Sequence, residues 1–196
     1  WWLGVQTCAL PILIDPSTVG YLFYYNFLSN LGEWTAQNGE QNFISAYLFN
    51  FSLITLSFSY IIFYYNFLRI IIKETNKKAF KFILISSIIL SLIGFVCVAV
   101  FSADQSTFHL HLLFVKIAFY SLLFHSFFQT LVIKSIKKFG KILFSITFSF
   151  TIILFLFILI MEFGPSPFEG ERSLFIQVTS QKIIVISILI YYYFQV

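Results

Sequence analysis

The chain has 196 residues, of which 59% are hydrophobic and 10% charged, and its twelve Lys and Arg against eight Asp and Glu leave a net charge of +4. A water-soluble domain carries about 25% charged residues, so a soluble enzyme is excluded, and 28 Phe with 11 Tyr exclude a disordered chain. The composition is that of an integral membrane protein and specifies no reaction. Phe, Ile, Tyr, Asn and Lys have AT-rich codons, so aromatic richness alone supports neither a cofactor nor nucleic-acid binding. Two Cys allow one disulfide at most; Cys97 lies in an apolar run and reads as a small buried thiol.

At the start of the chain, Gly4-Val5-Gln6-Thr7-Cys8-Ala9-Leu10-Pro11-Ile12 resembles the translation of a short-read sequencing adapter, and the only Met is Met161. Residues 1–12 are therefore expected to be an artefact. A single transmembrane domain is then expected over residues 13–196, with a first helix lost.

Hydropathy predicts five spans, at about 46–68, 82–101, 109–133, 142–161 and 175–194. Each is long enough to cross a hydrocarbon core about 30 Å thick, which takes about 20 residues of helix. Each must be helical, because an isolated strand leaves its backbone groups unpaired in lipid. Runs this long argue against a β-barrel. The predicted fold class is thus all-α, a polytopic bundle with five spans present and six expected in the complete protein.

Charge predicts orientation. Arg69, Lys73, Lys77, Lys78 and Lys81 follow the first span and Lys134, Lys137, Lys138 and Lys141 follow the third, nine of the twelve cations. Asp15, Glu33, Glu40, Asp104, Glu162, Glu169 and Glu171 fall on the other side. The positive-inside rule then predicts cytoplasmic lysine-rich connectors and C-terminus in a cell membrane, with loops 13–42, 102–108 and 162–174 extracytoplasmic. Topology accounts for these cations without specific lipid or nucleic-acid recognition.

Small residues recur at helical spacing: Ser45, Ser52, Thr55 and Ser59; Ser87, Ser91, Gly94 and Val98; Ser145 and Ser149. Such stripes are expected to let neighbouring helices approach closely.

Asn26-Phe27-Leu28-Ser29-Asn30-Leu31-Gly32-Glu33, then Asn38-Gly39-Glu40-Gln41-Asn42 and Leu48-Phe49-Asn50-Phe51-Ser52-Leu53, resemble the outer loop and second helix of the membrane family called domain of unknown function 998. The stretch Phe101-Ser102-Ala103-Asp104 through His109-Leu110-His111-Leu112-Leu113-Phe114 is similar to its second recurring segment, where the family tends to have Pro near the acid and this chain has Ser102 and Ala103. The resemblance implies a bundle of about six helices, Frag1-like in pattern. It implies no reaction.

Polar residues inside spans are costly and are functional candidates by default. Lys116 and Lys182 each lie seven residues in from the same end of their spans, about 10 Å at 1.5 Å per residue. His109 shares a face with Lys116, and Gln177 and Gln181 lie beside Lys182. An outward-facing polar pocket is expected from these groups, roofed by Asn30, Glu33, Asn38, Glu40 and Asn42, with Asp104 pairing to His109 or Lys116. The plainer alternative is that each Lys snorkels or pairs once with a carboxylate.

His109 and His111 point about 200° apart on a helix and match no recognised helical metal-ligand pair, so no metal or other cofactor is expected. His125 is expected to make an interhelical hydrogen bond. No Ser lies in a Gly-x-Ser-x-Gly elbow, although Glu33 or Glu40 with His109 could serve as acid and base. Pro is absent from the spans and Gly94 is the only Gly within one, which argues against an alternating-access carrier. The sequence best fits a protein that binds a lipid headgroup or amphiphile in that pocket. Alternatives are a membrane-embedded hydrolase acting on lipid and a structural partner of other membrane proteins; whether it is an enzyme is open.

Overall fold

A computed structural model of the chain describes residues 21–36, 39–74, 78–136 and 139–195. The adapter-like stretch, Asp15, Asn38, Lys77, Lys137 and Lys138 lie outside the described residues. Among the described residues, a short 3₁₀ turn at Leu28–Gly32 is followed by five helices: α1 (Phe43–Glu74), α2 (Lys78–Val100), α3 (Phe108–Ser135), α4 (Lys141–Phe163) and α5 (Glu171–Tyr193). All five are long and apolar enough to cross a membrane. The protein is an all-α polytopic bundle.

Each expected span corresponds to one helix, with Phe101 and Phe194 falling one residue past the ends of α2 and α5, and the other ends differ for physical reasons. α1 continues past Leu68 through Arg69 and Lys73, because Arg-Ile-Ile-Ile-Lys-Glu contains no helix breaker. α5 begins at Glu171, preceded by Gly170 at φ 130°. A carboxylate in the first turn meets the positive end of the helix dipole. Gly164, Pro165 and Pro167 stop α4.

Because the helices alternate in direction, one end of the bundle gathers residues 21–36 and 39–42, the α2–α3 turn and the α4–α5 loop. We call it the loop-capped end. The other, the lysine-rich end, carries Lys73, Lys78, Lys134 and Lys141.

Consecutive helices pack side by side. The tightest approach is α2 on α3, where Ser87, Ser91, Gly94 and Val98 are all buried as expected. A Cβ on Gly94 would lie 2.8 Å from the backbone N and Cα of Ala118, and Ser91 Oγ donates to the Ala118 carbonyl at 3.0 Å. The other two stripes are corrected. Ser52, Thr55, Ser145 and Ser149 are exposed, and the buried faces carry Tyr60, Tyr64 and Phe67 in α1 and Phe150, Leu154 and Phe157 in α4. A hydroxyl can face lipid when its own helix satisfies it, as Ser52 Oγ does on the Leu48 carbonyl at 2.6 Å. α1 and α5 close the ring through Tyr60 stacked on Tyr192, with centroids 3.6 Å apart. α3 fills the interior, with His125 and Gln129 fully buried.

Candidate functional site

The loop-capped end is built around backbone carbonyls. The 3₁₀ turn and Glu33 present three successive carbonyls to the first turns of α1, and each meets one donor. Ser45 Oγ bonds Leu31, Asn50 Nδ2 bonds Gly32 and Asn42 Nδ2 bonds Glu33, all at 3.0 Å. A Cβ on Gly32 would lie 2.6 Å from Asn50 Oδ1 and 2.9 Å from the Phe49 ring, so a larger residue there would displace the Asn50 side chain that bonds the Gly32 carbonyl. The chain then turns back at Gly39, whose φ of 83° favours glycine, and pairs Thr35 with Gln41.

Asp104, in the α2–α3 turn, accepts the N–H of Trp34 at 2.9 Å and of Thr35 at 3.2 Å, and the hydroxyl of Ser102. On the α5 side, Gln181 Oε1 accepts the Leu28 N–H at 2.7 Å and Lys182 Nζ donates to the Asn26 carbonyl at 2.7 Å. Lys182 is buried and lies 4.9 Å from the centre of the Phe23 ring, so it is shielded by loop and ring rather than open to a pocket. Tyr21 donates to the same Asn26 carbonyl at 3.0 Å, and burial pushes its hydroxyl up to about 12. It therefore stays a donor at any physiological pH. Tyr25 closes the rim on Glu171 at 2.8 Å.

The expected pocket residues thus divide. Asn30 donates to Glu33 at 2.6 Å, and both belong to the cap with Asn42, Asp104, Gln181 and Lys182. Gln177 closes the α4–α5 loop on the carbonyls of Ile160 and Pro165, both at 3.0 Å. Glu40 and His109 are exposed. The expected pairing of Asp104 with His109 or Lys116 is corrected. Asp104 takes backbone donors, and Lys116 Nζ lies 2.9 Å from Glu162 Oε1 and 3.0 Å from Oε2. The reason is reach: a snorkelling Lys stem on α3 climbs to the adjacent end of α4. His111, not His109, is the buried one, with Nδ1 2.8 Å from the Phe101 carbonyl.

Below the Lys116–Glu162 pair lies a groove of about 960 Å³ between α2, α3 and α4. Its walls are Leu90, Phe124, Phe127, Ile152 and Phe155, all open to the bundle surface, and Ser121 and Thr151 line its polar patches. Tyr120 lines the groove at its loop-capped end, one helical turn along α3 from Lys116. The mouth therefore carries a cation, an anion and a phenol. Lys116 is about half exposed there, at 47%. The sequence reading missed Glu162, Tyr120 and the groove, since pairing across α3 and α4 is not encoded in spacing along one helix.

Ser87 also lines the groove and lies 3.3 Å from His125 Nδ1, the residue pair that nucleophilic catalysis uses. The protons are arranged against it. Ser87 Oγ donates to the Ile83 carbonyl at 2.6 Å, and His125 Nδ1 faces the Leu84 carbonyl at 3.1 Å, so that nitrogen carries the hydrogen and cannot act as base. The pair is the interhelical hydrogen bond expected for His125. Among the described residues no three His, Cys, Asp or Glu side chains converge as a metal site.

The fold and site together define a multi-pass helical membrane protein with an apolar groove open at its surface. Comparison of the chain with family models, curated proteins and solved structures finds no match.

Proposed function

We propose that the protein binds a membrane amphiphile, with its chain in the α2–α3–α4 groove and its head at Lys116, Glu162 and Tyr120. The observation that carries this reading is the juxtaposition of an apolar slot with an opposed pair of charges at one end of it. The groove volume lies within the range of about 300–1,000 Å³ usual for small-molecule sites. A zwitterionic head offers an anion to Lys116 and a cation to Glu162, whereas an anionic head would meet the carboxylate as well. The binding site is thus the groove mouth, with the cap residues Asn30, Glu33, Asn42, Asp104, Gln181 and Lys182 holding the helix ends around it.

The protein sits in the cell membrane with its lysine-rich end cytoplasmic, on the positive-inside rule, so that the groove mouth opens toward the extracytoplasmic leaflet. The likeness to domain of unknown function 998 is compatible with this arrangement: of the residues that carry it, Asn42 and Asn50 hold the 31–33 turn and Asp104 holds the adjoining Trp34 at the loop-capped end. The proton arrangement at Ser87 and His125 favours binding over hydrolysis.

The test is purification in mild detergent with identification of retained lipids by mass spectrometry. Wild type is expected to carry an intact zwitterionic lipid that Lys116→Ala and Glu162→Gln lose. Equal bulk lipid in all three would overturn the reading, and cleaved lipid would restore the hydrolase.

A further inference from the structure

A second set of buried polar groups lies in the other half of the bundle, toward the lysine-rich end. Tyr60 and Tyr64 of α1, His125 and Gln129 of α3, Tyr191 and Tyr192 of α5 and Gln195 just beyond it form one contiguous buried cluster. Tyr60 stacks on Tyr192, Tyr64 meets the His125 ring edge-on at 5.3 Å, and Phe150 of α4 stacks on Tyr191 at 4.0 Å.

Two hydrogen bonds tie the cluster together, Tyr60 to Gln195 Oε1 at 2.9 Å and Tyr191 to Gln129 Oε1. They leave a surplus. Tyr64 Oη, Tyr192 Oη, His125 Nε2, Gln129 Nε2 and Gln195 Nε2 are all buried and have no hydrogen-bond partner in the protein. The two phenols and the imidazole nitrogen stay unpaired whichever way the amides are turned. Buried polar atoms in native proteins nearly always have a partner, and in a bilayer bulk water cannot supply one.

The chemistry of the five atoms identifies the ligand. With the hydrogen on Nδ1, the neutral His125 ring offers a lone pair at Nε2, while two phenols and two amide NH₂ groups can donate. A species that both accepts and donates satisfies this set. A halide accepts only and leaves Nε2 unpaired, and the stacked rings 3.6 to 4.0 Å apart leave no gap for a planar organic molecule. We infer that Tyr64, His125, Gln129, Tyr192 and Gln195 form an internal hydration site that holds ordered water within the lysine-rich half of the bundle.

Conservative substitution gives the sign. Tyr64→Phe and Tyr192→Phe each remove one hydroxyl and nothing else. If the hydroxyls are bonded to bound water, each variant melts below wild type and the double variant falls by less than the sum, because the two share one water network. Tyr193→Phe, exposed at 76%, should melt as wild type does. If the hydroxyls face only protein, removing them relieves a desolvation penalty, and an unchanged or raised Tm overturns the proposal. Radiolytic labelling of wild type gives an independent reading: water held inside generates radicals in place, so Tyr64 and Tyr192 should be oxidised despite their burial. Their remaining unlabelled would also overturn it.

Discussion

Asp104 accepts the Trp34 N–H through both of its carboxylate oxygens, at 2.9 and 3.2 Å, across 70 residues of sequence. This one side chain joins the α2–α3 turn to the loop that precedes α1, and so fixes the loop-capped end as a unit. Asp104→Ala leaves two backbone N–H groups without their charged acceptor. Bonds to a charged group contribute about 1.5–3 kcal/mol, and at about 2–4 °C per kcal/mol for a chain of this size the Tm should fall by on the order of 5 °C. Proteolysis within 34–42 should accelerate in the same variant.

Gly94 sets the distance between α2 and α3. Overpacking costs about 1–3 kcal/mol, so Gly94→Leu should lower the Tm by several degrees, while Ile93→Leu on the neighbouring exposed position should leave it within about a degree. Thermal unfolding in detergent by intrinsic fluorescence checks both.

Lys182 and Gln181 hold residues 26–28 from the α5 side. Lys182→Met removes the donor to the Asn26 carbonyl while keeping the length of the stem. Chymotryptic cleavage near Tyr24 and Tyr25 should become faster than in wild type, with the helices themselves still protected. A digestion pattern identical to that of wild type would mean that the remaining contacts suffice to seat the loop.

Orientation is open to direct measurement. In a chain with Cys8 and Cys97 replaced by Ser, a membrane-impermeant thiol reagent applied to intact cells should label Glu40→Cys and Glu169→Cys and spare Lys78→Cys and Lys141→Cys. The reverse pattern would invert the topology and place the groove mouth in the cytoplasmic leaflet.

The helices were legible in the sequence because membrane insertion imposes a length and a composition on every span, and Gly140, Gly164, Pro165 and Gly170 punctuate the ends of α4 and α5. The α2 stripe was legible as well, since Gly94 has no other use in a span. Much of the site was not. Lys116 and Lys182 look equivalent in spacing, yet one reaches a carboxylate on α4 and the other a carbonyl in the loop, because what a cation within a span meets depends on the neighbouring element. Asn26 and Asn50 entered the sequence reading only as members of the strings that carry the family resemblance, and it is the path of the loop that makes them its anchors. The inner tyrosines escaped notice because Tyr in a span reads as apolar until its hydroxyl is seen to lack a partner.

Amphiphile binding in the α2–α3–α4 groove turns on whether its mouth selects a zwitterionic head. The measurement is a native mass spectrometric titration of the protein with a zwitterionic and an anionic phospholipid of identical chains, for wild type, Lys116→Ala and Leu90→Trp, the last filling the groove from its α2 wall. The account predicts one zwitterionic lipid retained by wild type and binding about tenfold weaker, or about 1.4 kcal/mol, in both variants. Equal affinity for the two lipids, or wild-type affinity in Leu90→Trp, would contradict it.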